Sequence, residues 1–353
     1  MNKNDLLNQY IAENVLRQTS QWNEDGSEIF NNIVQIFEFA NHIKFVPCNT
    51  YSKECYLMEY FGDVFLVFDV YMLETLLEMN SIALNNRASK DMEKLAYRLL
   101  SEEYFVMQRY AVSLFMALKF KGRSGYHYLL QLSESNQKTA LTYTNVQQWF
   151  VIAHEVMHQY YAEYKRENPD YQAKRIYLKN VLVRHGFVDA DTNDTINDWI
   201  EYIDKNDSIV EECFCDSTAF IAVMSVLSKR ISIPDLATAL FLGIQHLRAI
   251  SYIKTEAHIL SSQKFVGEDI FLHATIRIIH ARYALLDHIS DEYPDHKSDA
   301  SNKLQQSFIQ YNEKQIDSIV RLTNNLGVEC VNIHAENIQT ESAIQRFILD
   351  LIK

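Results

Sequence analysis

The chain has 353 residues, a formal net charge of −13 and a hydrophobic share of 48%. This length allows one large domain or two modest ones, and the apolar content is sufficient for a sizeable core. The acidic charge disfavours non-specific nucleic-acid binding and offers no basic patch to a membrane surface. The chain has only 8 Gly and 4 Pro, a composition that favours long helices over hairpins.

Neither secretion nor membrane insertion is predicted. Residues 1–5 are polar, unlike the start of a secretory signal peptide. The most apolar long stretch, residues 236–253, is interrupted by Gln245, His246 and Arg248. The 5 cysteines are scattered and odd in number, which indicates no disulfide framework and favours a reducing compartment. We therefore expect a cytoplasmic protein.

The N-terminal third is expected to form a helical region with one β-hairpin. Two runs rich in aromatic and aliphatic residues, 55–60 and 64–70, are separated by Phe61-Gly62-Asp63 and predict the hairpin. Ser27 is expected to cap the second helix. Apolar residues at helical spacing predict helices at residues 5–18, 27–42, 71–85 and from Ser89 to about Lys119.

A strand is predicted in the irregular stretch that follows, residues 121–133. Gly122 and Gly125 precede Tyr126-His127-Tyr128-Leu129-Leu130-Gln131-Leu132. Glycines that bound a short aromatic and aliphatic run are typical of a strand. This strand would lie directly upstream of the next helix.

The most informative motif is His154-Glu155-Val156-Met157-His158, which has the pattern H-E-x-x-H. Residues four apart lie on one face of a helix, so both imidazoles can reach one metal ion. Glu155 can point at a water held by that metal. A capping-box pattern at Thr144–Gln147 is expected to begin the helix. The spacing thus predicts two zinc ligands and a general base, and the alternative is two surface histidines on an ordinary helix.

Further helices are predicted on the C-terminal side of this motif. One should end at His185-Gly186, which is a C-cap signal, and another should begin with Pro234 in its first turn. Gly327 is expected to stop a late helix. The predicted spans are 169–184 for the helix before His185-Gly186 and 299–326 for the helix before Gly327, with further helices at 194–204, 267–290 and 341–352.

A second acidic stretch, residues 208–216, is expected to supply the third metal ligand. Ser208 and Glu211 have the spacing of a capping box, which leaves Glu212 free to project elsewhere. Glu212 and Asp216 are four apart and share a helical face, so one can bind the metal while the other orients a ligand imidazole. The alternatives are a solvated acidic helix start and ligation by Cys213, with Cys213 and Cys215 otherwise treated as packing residues.

These two stretches together resemble the gluzincin metallopeptidases, in which H-E-x-x-H is followed by E-x-x-x-D on a second helix. The resemblance implies that His154, His158 and Glu212 bind one zinc ion and that Glu155 is the catalytic base. It implies that Asp216 is the partner of a ligand imidazole, most plainly that of His154. It also suggests that the strand at residues 126–132 forms the upper rim of the cleft and binds extended substrate, with an interior strand as the alternative.

Peptide hydrolysis also requires a donor for the oxyanion, which gluzincins supply from a residue downstream of the second motif. The segment His273–Arg282 contains two histidines and two arginines. We expect His273 to be this donor, with Arg277 in support. The other candidates, which are left open, are His280, Arg282, His246 and His258.

The predicted fold class is α+β, predominantly α-helical, with a small β-sheet packed on the active-site helix and helical flanks at both termini. The expected regions are an N-terminal helical region with the hairpin at 1–120, a zincin-like core at 121–290 and a helical region at 291–353. One continuous domain is the alternative.

We expect a zinc-dependent endopeptidase that acts on a protein or peptide, with neither nucleic acid nor membrane as a partner. A second possibility is an effector or phage-defence protease that cleaves one host protein, as the Lit-type phage-exclusion peptidases do, with a regulatory protein partner. A third is a non-catalytic interaction protein with a structural zinc site, although Glu155 argues against it because a structural site has no use for a base. A hydrolase of non-peptide amides or esters is a fourth.

Overall fold

The computed structural model describes residues 22–48, 53–60, 62–85, 88–120, 126–167, 172–184, 193–262, 269–311 and 318–322. This part of the chain forms a predominantly helical α+β fold with one small sheet, which confirms the predicted fold class. The helices predicted at residues 5–18 and 341–352, and the signals at His185-Gly186 and Gly327, lie outside the described residues.

The strands are β1 (Ile43–Cys48), β2 (Cys55–Tyr60) and β3 (Asp63–Asp69). The helices are α1 (Trp22–Ile36), α2 (Tyr71–Ala83), α3 (Ala88–Val106), α4 (Tyr110–Phe120), α5 (Tyr126–Leu130), α6 (Glu134–Glu167), α7 (Gln172–Arg184), α8 (Asn193–Lys205), α9 (Asp207–Leu227), α10 (Ile233–Ser262), α11 (Asp269–Glu292) and α12 (Lys297–Tyr311). Short 3-10 helices span Glu38–His42 and Pro294–His296.

The sheet has the strand order β1-β3-β2. β2 and β3 pair antiparallel, with Cys55 opposite Phe68, which confirms the predicted hairpin. β3 also pairs parallel with β1, with Ile43 opposite Val64. The inner strand β3 is a nearly continuous apolar run, as expected for a strand with neighbours on both sides.

Strand β1 was not predicted, and the helix before it has other bounds than predicted. The predicted helix 27–42 begins earlier, at Trp22, and ends at Ile36, so Ser27 lies inside α1 rather than at its cap. A 3-10 helix and β1 follow. Pro47 argues against a central strand, but β1 is an outer strand, where a residue without an N–H is tolerated.

The predicted single helix from Ser89 to Lys119 is wrong, because α3 and α4 are separate. Gln108 has a positive φ of 58°, and the N–H of Arg109 bonds to the carbonyl of Tyr104. This left-handed residue ends α3 and turns the chain so that α4 packs back on it. Apolar periodicity continues through the turn, which is why the sequence pattern did not reveal it.

The strand predicted at residues 126–132 is also wrong, since Tyr126–Leu130 forms the short helix α5. Leu129 and Leu132 are buried against Leu77 of α2. Strand propensity reflects packing on a pleated surface, and here helical packing overrides it. Neither the substrate-binding strand nor the interior strand expected in this segment is present.

The long helix α6 runs through the core and carries the H-E-x-x-H motif. It begins at Glu134, so the capping box predicted at Thr144 is wrong: Thr144 lies buried inside the helix and donates to the carbonyl of Ala140. The side chain of Asn80 donates to Thr144 and to Gln147, and Gln147 donates back to Asn80. These polar residues serve a buried hydrogen-bond network between helices.

The main hydrophobic core draws residues from all three predicted regions, among them Ile29, Val156 and Leu304. The boundaries at residues 120 and 290 remain predictions. Among the described helices, residues 233–259 of α10 are long and apolar enough to cross a membrane by length and composition. Most of this segment is buried in the fold, with 78% of its most apolar window covered, as is common for core helices.

Candidate metal centre

The two histidines of the motif lie one turn apart on α6, with ring centroids 4.9 Å apart. Glu212 on α9 faces both rings. Its Oε2 is 3.4 Å from Nε2 of His154, and its Oε1 is 3.6 Å from Nε2 of His158. One potential ligand atom from each of the three residues lies within 4.8 Å of the other two. The structure thus brings together the ligand set expected from the sequence.

These separations fit a tetrahedral metal ion. With metal–nitrogen and metal–oxygen bonds of roughly 2.0–2.1 Å, neighbouring tetrahedral ligands are about 3.3 Å apart. The observed distances of 3.4 and 3.6 Å are close to that value. Two imidazoles and one carboxylate are also the donor set of catalytic zinc sites, which leave a fourth position for water. The residues therefore fit zinc by both chemistry and spacing.

Each histidine has a carboxylate at its other ring nitrogen. Nδ1 of His154 lies 2.9 Å from Oδ1 of Asp216, in the arrangement expected for Asp216. Nδ1 of His158 lies 2.8 Å from Oε1 of Glu211. A carboxylate at Nδ1 holds the tautomer whose Nε2 is free to bind a metal. Both Nε2 atoms consequently face Glu212.

The contact made by Glu211 corrects the capping-box prediction. Helix α9 begins at Asp207, and its N-cap residue Asn206 makes no side-chain cap hydrogen bond. Glu211 instead reaches across to His158 on α6. Sequence reasoning missed this because capping is a local pattern, whereas the partner of Glu211 is 53 residues away.

Arg277 on α11 connects the acidic residues of the centre. Its Nε and Nη2 donate to Asp216 at 2.6 and 2.9 Å, and its Nη1 is 2.7 Å from Oε2 of Glu212. Nη2 also lies 3.4 Å from Nε2 of His154. Arg277 is therefore held by carboxylates beside the ligand set, and its predicted support of an oxyanion stays a prediction.

The electrostatics keep both acidic residues ionised. Burial by itself raises their pKa values, but Arg277 and His154 together outweigh it and lower the pKa of Glu212 and of Asp216. Burial disfavours the charged form of His154, yet Asp216 raises its pKa to about 10. A metal ion would therefore displace a proton from His154, as metal binding to imidazole requires.

Glu155 occupies a different environment from the ligands. It is partly buried, and loss of solvent raises the pKa of its carboxyl, against the lowering influence of His154 and His158. A raised carboxyl pKa suits a group that must accept and release a proton near neutral pH. Glu155 also lies near Cys55, the first residue of β2, and adds to the raised pKa of that thiol.

β2 is the strand that borders this helix. It packs against α6, and among the described strands it is paired along one edge only, with β3. The strand beside α6 is thus β2, and not the strand predicted at residues 126–132. The hairpin itself was predicted, but its position beside Glu155 depends on contacts distant in sequence.

His273 lies at the edge of the same centre. It lines a cavity of about 290 Å³ together with Glu212 and Arg277. Its Nδ1 is 3.2 Å from the hydroxyl of Tyr202 on α8, and burial lowers its pKa. His273 thus shares a cavity with Glu212, and its role as the oxyanion donor stays a prediction. Sequence reasoning did not identify Tyr202, for which no local motif exists.

The other histidines and the cysteine alternative lie elsewhere. His280 is buried behind the centre with its pKa lowered to about 4 by burial, and His258 is exposed beside Glu103. His246 belongs to the Asn80 network. Cys213 is packed in an apolar cluster with Leu178, Ile209 and Ile276, and is not part of the described ligand group. Arg282 donates to Gln305.

Comparison with known proteins gives no match, whether to protein-family profiles, to curated proteins or to solved structures. The resemblance to gluzincins stays a prediction, and the functional interpretation depends on the geometry of the centre.

Proposed function

We propose that this protein is a zinc-dependent peptidase whose metal centre consists of His154, His158 and Glu212. One observation carries the proposal: both imidazoles present Nε2 to Glu212 at separations suited to tetrahedral zinc, while carboxylates occupy both Nδ1 atoms. Such outer carboxylates are typical of functional metal sites. A pair of surface histidines on an ordinary helix would have no need of them.

Zinc in this centre would lower the pKa of a water molecule and polarise the carbonyl of a peptide bond. Glu155, one position after the first ligand, takes a proton from the attacking water. It then gives this proton to the leaving amine when the carbon–nitrogen bond breaks. His273, at the edge of the centre, donates a hydrogen bond to the oxygen that becomes negative.

The outer edge of β2 is the proposed place for the substrate backbone. An extended peptide can add to an outer strand through backbone hydrogen bonds, and β2 lies along the helix that carries Glu155. This arrangement would place a peptide carbonyl near the ligands. The substrate class we propose is accordingly a peptide or an unfolded protein segment.

The test compares wild type with Glu155→Gln after both are loaded with zinc. Incubation with a mixture of peptides, followed by mass spectrometry, reports cleavage. We expect the substitution to reduce the rate by about 10²–10⁴-fold, the usual contribution of a general base, with zinc content unchanged. Glu163→Gln, on the same helix but near Gln159 rather than the ligands, is the matched control and should cleave like wild type. Full activity in Glu155→Gln would refute the proposal.

A further inference from the structure

The cavity beside the metal centre has a cationic side chain that the proposed chemistry does not use. The cavity is about 290 Å³ and lies between α8, α9, α10 and α11. Glu212 and Arg277 line it, so it opens directly beside the ligand set. Ile244, Leu247 and Ile278 provide apolar walls, and Arg248 and Ser251 contribute polar groups from α10.

Arg248 differs from the other arginine of the cavity. Arg277 is neutralised by Asp216 and Glu212. Arg248 is partly buried, and within the described part of the chain no carboxylate lies within ion-pair distance of it. Burial lowers its pKa, with the hydroxyl of Tyr311 as the sole opposing influence. Partial burial of a cation without a counter-ion raises the free energy of the folded protein, because the charge loses water and gains no partner. An anionic ligand would supply that partner.

The surroundings define the charge and size of such a ligand. Arg248 and Ser251 are three apart on α10 and share a face. Ser251 is exposed, so it lies where the cavity opens, and Arg248 is less exposed. Arg277 is already paired with Glu212 and Asp216, so Arg248 is the cationic group of the cavity lining that can pair with an anionic ligand. A cavity of about 290 Å³ is at the lower end of ligand-site volumes and suits a single side chain or a chain end.

We propose that this cavity binds a substrate carboxylate, with Arg248 as the residue that recognises it. One planar guanidinium is suited to a singly charged carboxylate, which it can bind through two parallel hydrogen bonds. The apolar walls would contact the methylene groups that carry the carboxylate. That the ligand is a substrate rests on the proposed peptidase function. That the cavity binds a carboxylate is independent of this function.

Two parts of a peptide could supply this group: an acidic side chain next to the cleaved bond, or the C-terminal carboxylate. Three probe peptides distinguish them. Acetyl-Ala-Glu-Ala-amide has a side-chain carboxylate, acetyl-Ala-Gln-Ala with a free C-terminus has a terminal one, and acetyl-Ala-Gln-Ala-amide has neither. NMR titration measures the dissociation constant of each peptide.

The titrations use zinc-loaded Glu155→Gln protein, so that no hydrolysis intervenes. We expect at least one charged peptide to bind about tenfold more tightly than the neutral one, as charge-assisted hydrogen bonds are stronger than neutral ones. The peptide that binds more tightly shows whether the carboxylate comes from an acidic side chain or from the C-terminus. In the Glu155→Gln background, the additional substitution Arg248→Gln should remove the preference for the charged peptide. Arg248→Lys should retain part of that preference. Arg230→Gln, at an exposed arginine in the turn after α9 and outside this cavity, is the control and should retain all of it.

A second variant tests the inference independently, in case Arg248→Gln does not fold. Ser251→Asp places a carboxylate one turn from Arg248 at an exposed position, and should abolish the preference while Arg248 is intact. The inference is overturned if the charged peptides show no advantage over the neutral one, whether all bind equally or none binds. It is also overturned if the advantage survives both variants. A failure of wild type to hydrolyse peptides would refute the proposed function but leave these binding results standing.

Discussion

Oε1 of Glu211 lies 2.8 Å from Nδ1 of His158, and the next residue along α9, Glu212, faces Nε2 of the same ring. Two adjacent glutamates thus contact opposite sides of one imidazole. Oδ1 of Asp216 lies at a similar distance, 2.9 Å, from Nδ1 of His154. The centre therefore has a paired design, in which each proposed imidazole ligand has its own orienting carboxylate.

This relation predicts that Glu211→Gln weakens metal binding without unfolding the protein. Loss of an outer carboxylate typically reduces metal affinity by about 10–100-fold, because the imidazole loses its orientation and part of its basicity. Competition with a chelator measures the affinity, and thermal unfolding of the metal-free protein measures stability. Glu201→Gln, an exposed glutamate on α8, is the control. If Glu211 were a helix cap instead, stability would fall and metal affinity would not.

Metal analysis of the purified protein should give one zinc per chain. His158→Ala and Glu212→Ala should each lose it, since either substitution leaves two protein ligands where zinc needs at least three. His258→Ala, a histidine on α10 with 59% of its side chain exposed, is the matched control and should retain zinc. Zinc that persists in Glu212→Ala would exclude this glutamate as the third ligand.

A buried charge cluster outside the metal ligand set should be important for stability. Glu102 is fully buried, with Oε2 3.2 Å from Nζ of Lys53 and Oε1 3.6 Å from Nε of Arg98, and it accepts a hydrogen bond from Tyr71. Glu102→Gln removes this counter-ion from buried Lys53 and Arg98, of which Arg98 keeps its ion pair with Glu78. We expect the free energy of unfolding in urea to fall by about 3–5 kcal/mol, the usual result of breaking a buried ion pair from one side.

The comparison for this cluster is an exposed ion pair, Lys303 with Asp235, which are 2.6 Å apart. Lys303→Gln should change the free energy of unfolding by less than about 1 kcal/mol, because solvent screens exposed pairs. Equal effects of Glu102→Gln and Lys303→Gln would show that the buried cluster contributes no more than a surface contact.

His246 should make the protein sensitive to acid. It is fully buried, with Nε2 3.0 Å from Oδ1 of Asn80 and Nδ1 3.1 Å from the hydroxyl of Tyr311, and burial lowers its pKa to about 3. Below the unfolded value of 6.5 the unfolded chain binds a proton that the native state refuses. Stability is therefore complete above pH 6.5 and declines as the pH falls toward 3.

His246→Gln should reduce this pH dependence by up to about 1.4 kcal/mol per pH unit, the effect of one proton. Free energies of unfolding measured between pH 7 and pH 5 would show the smaller slope, even if the variant is less stable throughout. His296→Gln, an exposed histidine, should leave the slope as in wild type. An unchanged slope in His246→Gln would mean that this imidazole is not kept neutral by burial.

The sequence by itself determined the parts of this protein that depend on spacing within one helix. Residues four apart share a helical face whatever surrounds them, so His154 and His158 were placed together, and Glu212 and Asp216 likewise. The hairpin was predictable for a similar reason, because its two strands are adjacent in the chain and joined by a short turn. Overall helix content also followed from local periodicity and composition.

Tertiary structure decided which of these local patterns meet. The contact of Glu211 with His158, the pairing of Arg277 with Asp216, and the parallel pairing of β1 with β3 join residues that no local spacing relates. The same holds for α5, where packing on α2 overrides strand propensity. Such contacts depend on how whole helices and strands pack. Burial of apolar surface drives that packing, and because this driving force is non-directional, it does not depend on local spacing in the sequence.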